Sequence, residues 1–309
     1  MDPAASIIIF TTASGAGYGL LAILGFMAAL DVSPTPGPFA VALALGLISI
    51  GLFASTFHLG RPLRAWRALS RWRTSWMSRE GLAALVTFLP ATAFGVLWAS
   101  SEPNDVSIRL LGGLSAAMAM TTVFCTAMIY ASLTTIRRWS HTLVPPIYLA
   151  LALQSGALLL VALTTVFGGR GPIALAMATT FAAWLIKAAY WRSIDRALPT
   201  SSLGSATGLA HLGAARAFDP PHTGANFLLR DMGFVVARKR VLALRRSVHV
   251  CLFGAPFALI GLILLTPLSA SCPLASTAIL AAAIGLGTER WLFFAEARHV
   301  SALFYGRVD

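Results

Sequence analysis

Charged residues are scarce in this sequence. Asp, Glu, Lys and Arg make up 11% of the 309 residues, and 57% of the residues are hydrophobic, whereas soluble domains usually carry about 25% charged residues. A water-soluble fold with this composition would have too few polar side chains to cover its surface, which argues against a soluble enzyme. The mean hydropathy of +0.78 predicts a helical protein that crosses a lipid bilayer several times.

Cysteine and acidic residues are also few. The three cysteines, Cys125, Cys251 and Cys272, show no metal-ligand spacing and no CxxC pair, so we predict no metal site and no iron–sulfur cluster in this chain. There are 11 acidic residues against 23 Lys and Arg, which gives a net charge of +12. In a membrane protein such an excess is typical of an orientation signal, so no nucleic-acid partner is expected.

Eight apolar stretches are long enough to span a bilayer, because a spanning helix needs roughly 20 apolar residues. They cover residues 6–30, 38–58, 80–99, 108–131, 144–167, 172–191, 248–268 and 274–297. We therefore predict an all-α fold, a bundle of eight transmembrane helices that forms a single domain over residues 1–309. Residues 192–247 form a basic loop within it, and part of this loop, residues 227–246, is predicted to be a partly amphipathic helix.

Lys and Arg are distributed unequally between the two sides of the bilayer. The connectors after the second, fourth and sixth spans, together with the residues after the eighth, contain 19 of them, and the other connectors contain Arg170 alone. We call the side that carries these residues the basic face. The positive-inside rule predicts that the basic face is cytoplasmic, and an even number of spans then makes both termini cytoplasmic.

The sequence places a histidine and a glutamate close to each other at the basic face. His58 ends the second span and Glu80 opens the third, and the connector between them is short. An imidazole and a carboxylate in this position could exchange protons, and a structural hydrogen bond is the alternative. Trp66 and Trp76 lie nearby, either as part of an interfacial aromatic belt or as the wall of a site for a flat ring such as a quinone.

Charged residues also occur inside the predicted spans. Lys187 lies near the basic end of the sixth span and could extend to the surface. Glu289 and Glu296 share one face of the eighth span, whereas Arg290 is predicted to point elsewhere. These charged residues of the eighth span have two interpretations: they form ion pairs with neighbouring helices, or they belong to a proton route. No histidine lies deep in a span, so haem b is not expected.

Two segments carry a resemblance to a known family. Residues 57–66 read FHLGRPLRAW and residues 75–80 read SWMSRE, and both resemble the membrane-anchor family of the DMSO reductases. Residues 10–19 (FTTASGAGYG) and 226–234 (NFLLRDMGF) resemble the branch found in sulfite-oxidising complexes. The resemblance implies a membrane anchor with two partners, a four-cluster ferredoxin-like iron–sulfur subunit and a molybdopterin catalytic subunit.

The resemblance also implies roles for individual residues. His58 and Glu80 would be the catalytic pair of a quinone site, for ubiquinone or menaquinone, with Trp66, Trp76 and Tyr130 as further quinone-binding residues. Tyr130 departs from the family, since some DMSO-reductase anchors have a basic residue there. Docking of the iron–sulfur subunit is expected at three arginines of the basic face, Arg61, Arg64 and Arg67.

The sequence therefore predicts the quinone-reactive anchor of a molybdoenzyme in a bacterial inner membrane. The chain would not perform the molybdenum chemistry itself. Sulfite oxidation coupled to quinone reduction is the first expectation, and a DMSO-type reductase that oxidises quinol is the second. A transporter, the alternative from another class, would place polar groups at mid-membrane on broken helices.

Overall fold

The computed structural model of the chain describes residues 4–32, 36–57, 62–100, 105–197, 202–215, 218, 235–297 and 299–300. Every regular element in these ranges is helical, which confirms the predicted all-α class. In a bilayer the backbone polar groups have no water to bond, and a helix satisfies them within its own segment. This requirement accounts for a fold made of long helices and short connectors.

Within the described ranges, eight helices are long and apolar enough to cross a membrane, which is the number predicted from the sequence. They span Ala5–Ala29, Gly37–Thr56, Trp76–Ala99, Asp105–Ala131, Val144–Val166, Ile173–Arg196, Arg240–Leu262 and Leu268–Ala295. The seventh span begins earlier than predicted, because a helix from Val235 to Val248 leads into it through a kink at Arg240. Of the amphipathic helix predicted for 227–246, residues 227–234 lie outside the described ranges, and the loop 192–247 as a unit stays a prediction.

The first span lies at the centre of the bundle. Its residues from Gly17 to Gly25 are buried without interruption. A Cβ atom added at Gly19 would collide with the carbonyl oxygen of Ala152, and one added at Gly156 would collide with the backbone of Gly19. Helices in lipid associate through such close contacts between small residues, so these glycines allow the first and fifth spans to touch along their backbones.

Two spans contain a π-helical turn, Phe10–Ser14 in the first and His249–Gly254 in the seventh. A π-turn widens the helix and breaks its regular hydrogen-bond ladder, and such turns are frequent at functional sites. The carbonyl oxygen of Leu252 in the second turn accepts a hydrogen bond of 2.6 Å from Gln154 Nε2 of the fifth span. The first turn borders both cavities described below.

An ion-pair network holds the helices together at the basic face. Arg245 donates to Glu296 through Nε (3.0 Å) and Nη2 (2.6 Å), and through Nη1 to Asp195 Oδ2 (2.7 Å). Arg138 also pairs with Glu296. The network links the ends of the sixth, seventh and eighth spans to the connector after the fourth, so it fixes the rim of the bundle near the candidate site.

Candidate functional site

Glu80 is a buried carboxyl in the second turn of the third span. Its side chain is 8% exposed, and Thr126 Oγ1 of the fourth span donates a hydrogen bond of 2.9 Å to Glu80 Oε1. The same hydroxyl lies 3.1 Å from the Thr122 carbonyl oxygen, so the helix fixes its position. Among the described residues no Lys or Arg forms an ion pair with Glu80. A carboxyl held by a neutral hydroxyl is suited to proton exchange with a bound molecule.

The other member of the predicted pair, His58, lies outside the described residues, and so does Arg61. The geometry of the His58–Glu80 pair therefore stays a prediction. The described part of the connector, a 3₁₀ helix over Pro62–Arg71, folds back onto the third span. Arg79 fixes this arrangement, because its Nε and Nη2 donate to the carbonyl oxygens of Trp72 (2.9 Å) and Arg73 (2.7 Å).

Arginine and tryptophan alternate along this connector and the start of the third span. Arg67 lies 5.5 Å from the ring centroid of Trp66, and Arg79 lies 4.3 Å from that of Trp76. Trp66 is 67% exposed, whereas Trp76 packs edge-on against Phe124 at 6.0 Å. Trp76 precedes Glu80 by four residues and so shares its helix face. Trp76 thus lies on the same face of the third span as Glu80, whereas Trp66 lies on the protein surface.

The Arg64 side chain is exposed at the surface of the same connector, and so is that of Arg67. Arg64 and Arg67 are the two predicted docking residues within the described ranges, and both are therefore accessible to a partner. The connector presents cationic and aromatic side chains together, which is a composition enriched at protein interfaces.

Tyr130, predicted as a quinone-binding residue, lies in a buried aromatic cluster. Its ring contacts Trp139, Tyr148, Phe293 and Phe294 with centroid distances between 5.3 and 5.9 Å. Two cavities, one polar and one apolar, lie between the spans. Tyr130 lines neither of them, but Tyr148, which stacks on Tyr130, lines the polar one. The structure therefore places Tyr130 behind a wall of that cavity.

A small cavity of about 20 Å³, enough for one water molecule, lies between the first, fourth, fifth and eighth spans, and we call it the polar cavity. Tyr18, Thr126, Tyr148 and Arg290 provide polar groups along its walls. Because Thr126 also donates to Glu80, the Glu80 carboxyl is one hydrogen bond away from the wall of this cavity. Sequence reasoning did not identify Tyr18 or Tyr148, since nothing in the sequence shows which helices face each other.

A second, larger and apolar cavity of about 240 Å³ adjoins the first. Four residues line both cavities, Thr12, Ala16, Ser155 and Leu286. The remaining walls are mainly aliphatic side chains of the second, fifth, seventh and eighth spans. The two cavities therefore share part of their walls.

A buried ion triad lies next to the polar cavity. Lys187 pairs with Glu289 Oε1, and Arg290 Nε lies 3.0 Å from Glu289 Oε2. Lys187, Glu289 and Arg290 are 1%, 0% and 2% exposed. Ion pairing of Glu289 with a neighbouring helix is thus confirmed, but two expectations were wrong. Lys187 does not extend to the surface, because it faces the bundle interior and a carboxylate there compensates its charge, and Arg290 does not point away from Glu289.

Two histidines near the basic face have protein partners. Trp184 Nε1 donates to His249 Nδ1 at 2.8 Å, and His141 Nε2 is hydrogen-bonded to Ser193 Oγ at 2.9 Å. Burial, together with the nearby Arg137, lowers the pKa of His141. Within the described ranges no group of three or more His, Cys, Asp or Glu could hold a metal ion, and the expected absence of metal and haem b stays a prediction.

Comparison with known proteins places the chain in a family. The family model described as the DMSO reductase anchor subunit matches residues 2–220. A sulfite dehydrogenase subunit of Allochromatium vinosum (strain ATCC 17899 / DSM 180 / NBRC 103801 / NCIMB 10441 / D) is 33% identical over 334 aligned positions that cover 100% of both chains. The match and the eight apolar helices together show that this chain is a multi-pass membrane protein of the DMSO reductase anchor subunit family.

Proposed function

We propose that this chain anchors a molybdopterin oxidoreductase to the membrane and exchanges its electrons with membrane quinone. The observation that carries the proposal is Glu80, a buried carboxyl held by Thr126 at the wall of a polar cavity. A quinone that takes up two electrons must also take up two protons, so a titratable group must lie beside its binding site. We assign Glu80 to proton transfer, with His58 as the second group and Trp76 beside them.

The electrons come from a partner, because no redox metal is predicted in this chain. The proposed partners are a four-cluster ferredoxin-like iron–sulfur subunit and a molybdopterin catalytic subunit. In the favoured direction sulfite and water give sulfate, two electrons and two protons. The two electrons pass through the iron–sulfur subunit to the quinone, which combines with two protons to give the quinol. In this direction electrons enter the membrane at the anchor, where the quinone is reduced.

Two observations favour sulfite as the electron donor of the complex. The relative that is 33% identical over its full length is a sulfite dehydrogenase subunit. The Lys and Arg residues concentrate on the face where Glu80 lies, and the positive-inside rule makes that face, with both termini, cytoplasmic. We therefore place the chain in a bacterial inner membrane with its partners in the cytoplasm, where they meet internally produced sulfite. The family description supports a DMSO-type reductase as the second candidate.

The donor assignment can be tested with membranes that contain the complete complex. Sulfite is expected to reduce a soluble quinone analogue in these membranes, and DMSO is not expected to oxidise the corresponding quinol. Both reactions are followed by the absorbance change of the quinone, with membranes lacking the complex as the control. Quinol oxidation by DMSO without any sulfite-linked reduction would assign the chain to a reductase instead.

Docking of the iron–sulfur subunit gives a separate prediction. Arg64→Glu combined with Arg67→Glu should weaken attachment of that subunit, because both exposed side chains lie on the connector beside Glu80. The control is Arg192→Glu combined with Arg196→Glu, the same charge change at exposed positions of the same face. Co-purification over a salt series is the measurement, and we expect the first pair to lose the subunit at lower salt because its contacts are ionic. Equal retention in both pairs would contradict the docking role.

A further inference from the structure

The apolar cavity is large enough for one substituted six-membered ring. Its volume is about 240 Å³, whereas an engineered cavity of about 150 Å³ in another protein binds benzene. Leu47 and Gln154 in its wall lie near the middle of their spans, Gly37–Thr56 and Val144–Val166, so the cavity lies at mid-membrane depth. Ala283, also in the wall, is exposed. A lipid-soluble molecule can therefore reach the cavity from the bilayer.

One polar side chain of this wall is buried and only partly satisfied. Gln154 is 1% exposed, and its Nε2 donates to the Leu252 carbonyl oxygen at 2.6 Å. A regular helix would offer that oxygen the N–H of the residue four positions later, but Pro256 has no N–H. Because the Leu252 oxygen can only accept, the amide nitrogen of Gln154 must face it. Gln154 Oε1 is left without a hydrogen-bond partner among the described residues.

The other two polar side chains in the cavity wall are satisfied within their own helices. Ser155 Oγ donates to the Leu151 carbonyl oxygen at 2.8 Å, and Thr12 Oγ1 donates to that of Ile8 at 2.7 Å. The polar side-chain atom of this wall that lacks any partner is therefore an acceptor, Gln154 Oε1. A buried acceptor without a donor is destabilising, so the fitting ligand is an apolar ring that carries a hydroxyl group.

We infer that the apolar cavity binds the ring of a membrane quinol, with one ring hydroxyl donating to Gln154 Oε1. The hydrocarbon chain of the quinol extends past Ala283 into the lipid. The oxidised quinone binds less tightly, because its carbonyl oxygens have no proton to donate. The inference rests on the proposed function only for the choice of quinol among apolar hydroxyl compounds. It adds a binding site at mid-membrane depth, separate from Glu80.

Variants that fill the cavity test its role. A Cβ atom added at Gly287, which lines the cavity, would meet no atom within 4 Å, so Gly287→Leu should fill the cavity and keep the fold. Gly46→Leu is the matched control, because Gly46 is also a helical glycine with open space around it and lies outside the cavity wall. Ala283→Phe at the exposed edge is a second filling variant. The melting temperature of each variant checks its fold.

The measurement is the number of quinol molecules bound per complex. A short-chain quinol is added to the purified complete complex without oxygen, and its binding is followed by equilibrium dialysis. We expect the wild type and Gly46→Leu to bind one quinol near Glu80 and one in the apolar cavity, and we expect Gly287→Leu and Ala283→Phe to lose one of the two. Filling variants that bind as much quinol as the wild type would overturn the inference and leave the proposed function intact. A wild-type complex that binds no quinol would contradict both.

A comparison of the reduced and oxidised ligands tests the contact with Gln154. The binding that Gly287→Leu removes should be about three- to tenfold tighter for the quinol than for the quinone, which is the usual effect of one hydrogen bond. The same dialysis with each ligand, on the wild type and on Gly287→Leu, gives the two affinities. Equal affinities would show that the cavity does not recognise a hydroxyl, as for a site that takes a lipid acyl chain, and would overturn the choice of quinol.

Discussion

Glu80→Gln is expected to lower quinone-linked turnover of the assembled complex by about 100-fold or more, which is the range lost with a general acid or base. The amide keeps the size of the side chain and can still accept from Thr126, but it cannot bind and release a proton. Turnover with an artificial electron acceptor that reacts at the catalytic partner should stay unchanged. The measurement compares these two activities on the same purified complex.

Two further variants make the Glu80 result specific. Thr126→Val removes the hydrogen bond to Glu80 and keeps the carboxyl, so we expect a smaller loss of quinone-linked turnover. Asp105→Asn changes an exposed carboxyl at the opposite end of the bundle and should have no effect. A fully assembled Glu80→Gln complex with ordinary quinone-linked turnover would remove Glu80 from the proton path.

Glu289→Gln is expected to be the most destabilising exchange in the bundle, by about 3–5 kcal/mol of unfolding free energy, which is the usual cost of leaving buried charges unpaired. The exchange leaves Lys187 and Arg290 without their shared carboxylate. Lys187→Met leaves the pair of Glu289 and Arg290 intact and should cost far less. Thermal unfolding in detergent, together with the fraction of monodisperse protein, gives the order of the two variants.

The prediction depends on which of the two variants, Glu289→Gln or Lys187→Met, loses more stability. A triad held together by its carboxylate must lose more when the carboxylate is replaced than when one of its two cations is replaced. If Lys187→Met proves equally or more destabilising, the charge of Glu289 is compensated by Lys187 alone and Arg290 is free of the triad.

The number of spans and their helical structure could be predicted because a long apolar run is itself the property that lets a helix cross the lipid. The seventh span shows the limit of that signal. Arg245 lies inside the spanning helix, although hydropathy would exclude it, because Glu296 and Asp195 neutralise it. Such a pairing involves three separate helices, so a single stretch of sequence does not reveal it.

Part of the candidate site could be proposed from the sequence for the same physical reason. Glu80 could be found because an acidic residue beside an apolar run is unusual, and the structure places it in a buried position. The rotation of each helix decides whether Lys187 faces lipid or protein, and the sequence leaves that rotation undefined when apolar residues occur on all sides. Tyr18, Tyr148 and Arg290 come from three different spans, and the first and fifth of these spans meet at the close contact of Gly19 with Ala152.

We propose that electrons of the complex reach quinone through this chain. The most direct measurement compares the complete complex in liposomes containing quinone with the two soluble partners purified without this chain. We predict that the partners alone retain activity with an artificial electron acceptor and lose quinone reduction, and that adding the anchor in liposomes restores it. Quinone reduction by the soluble partners at the rate of the complete complex would contradict the account.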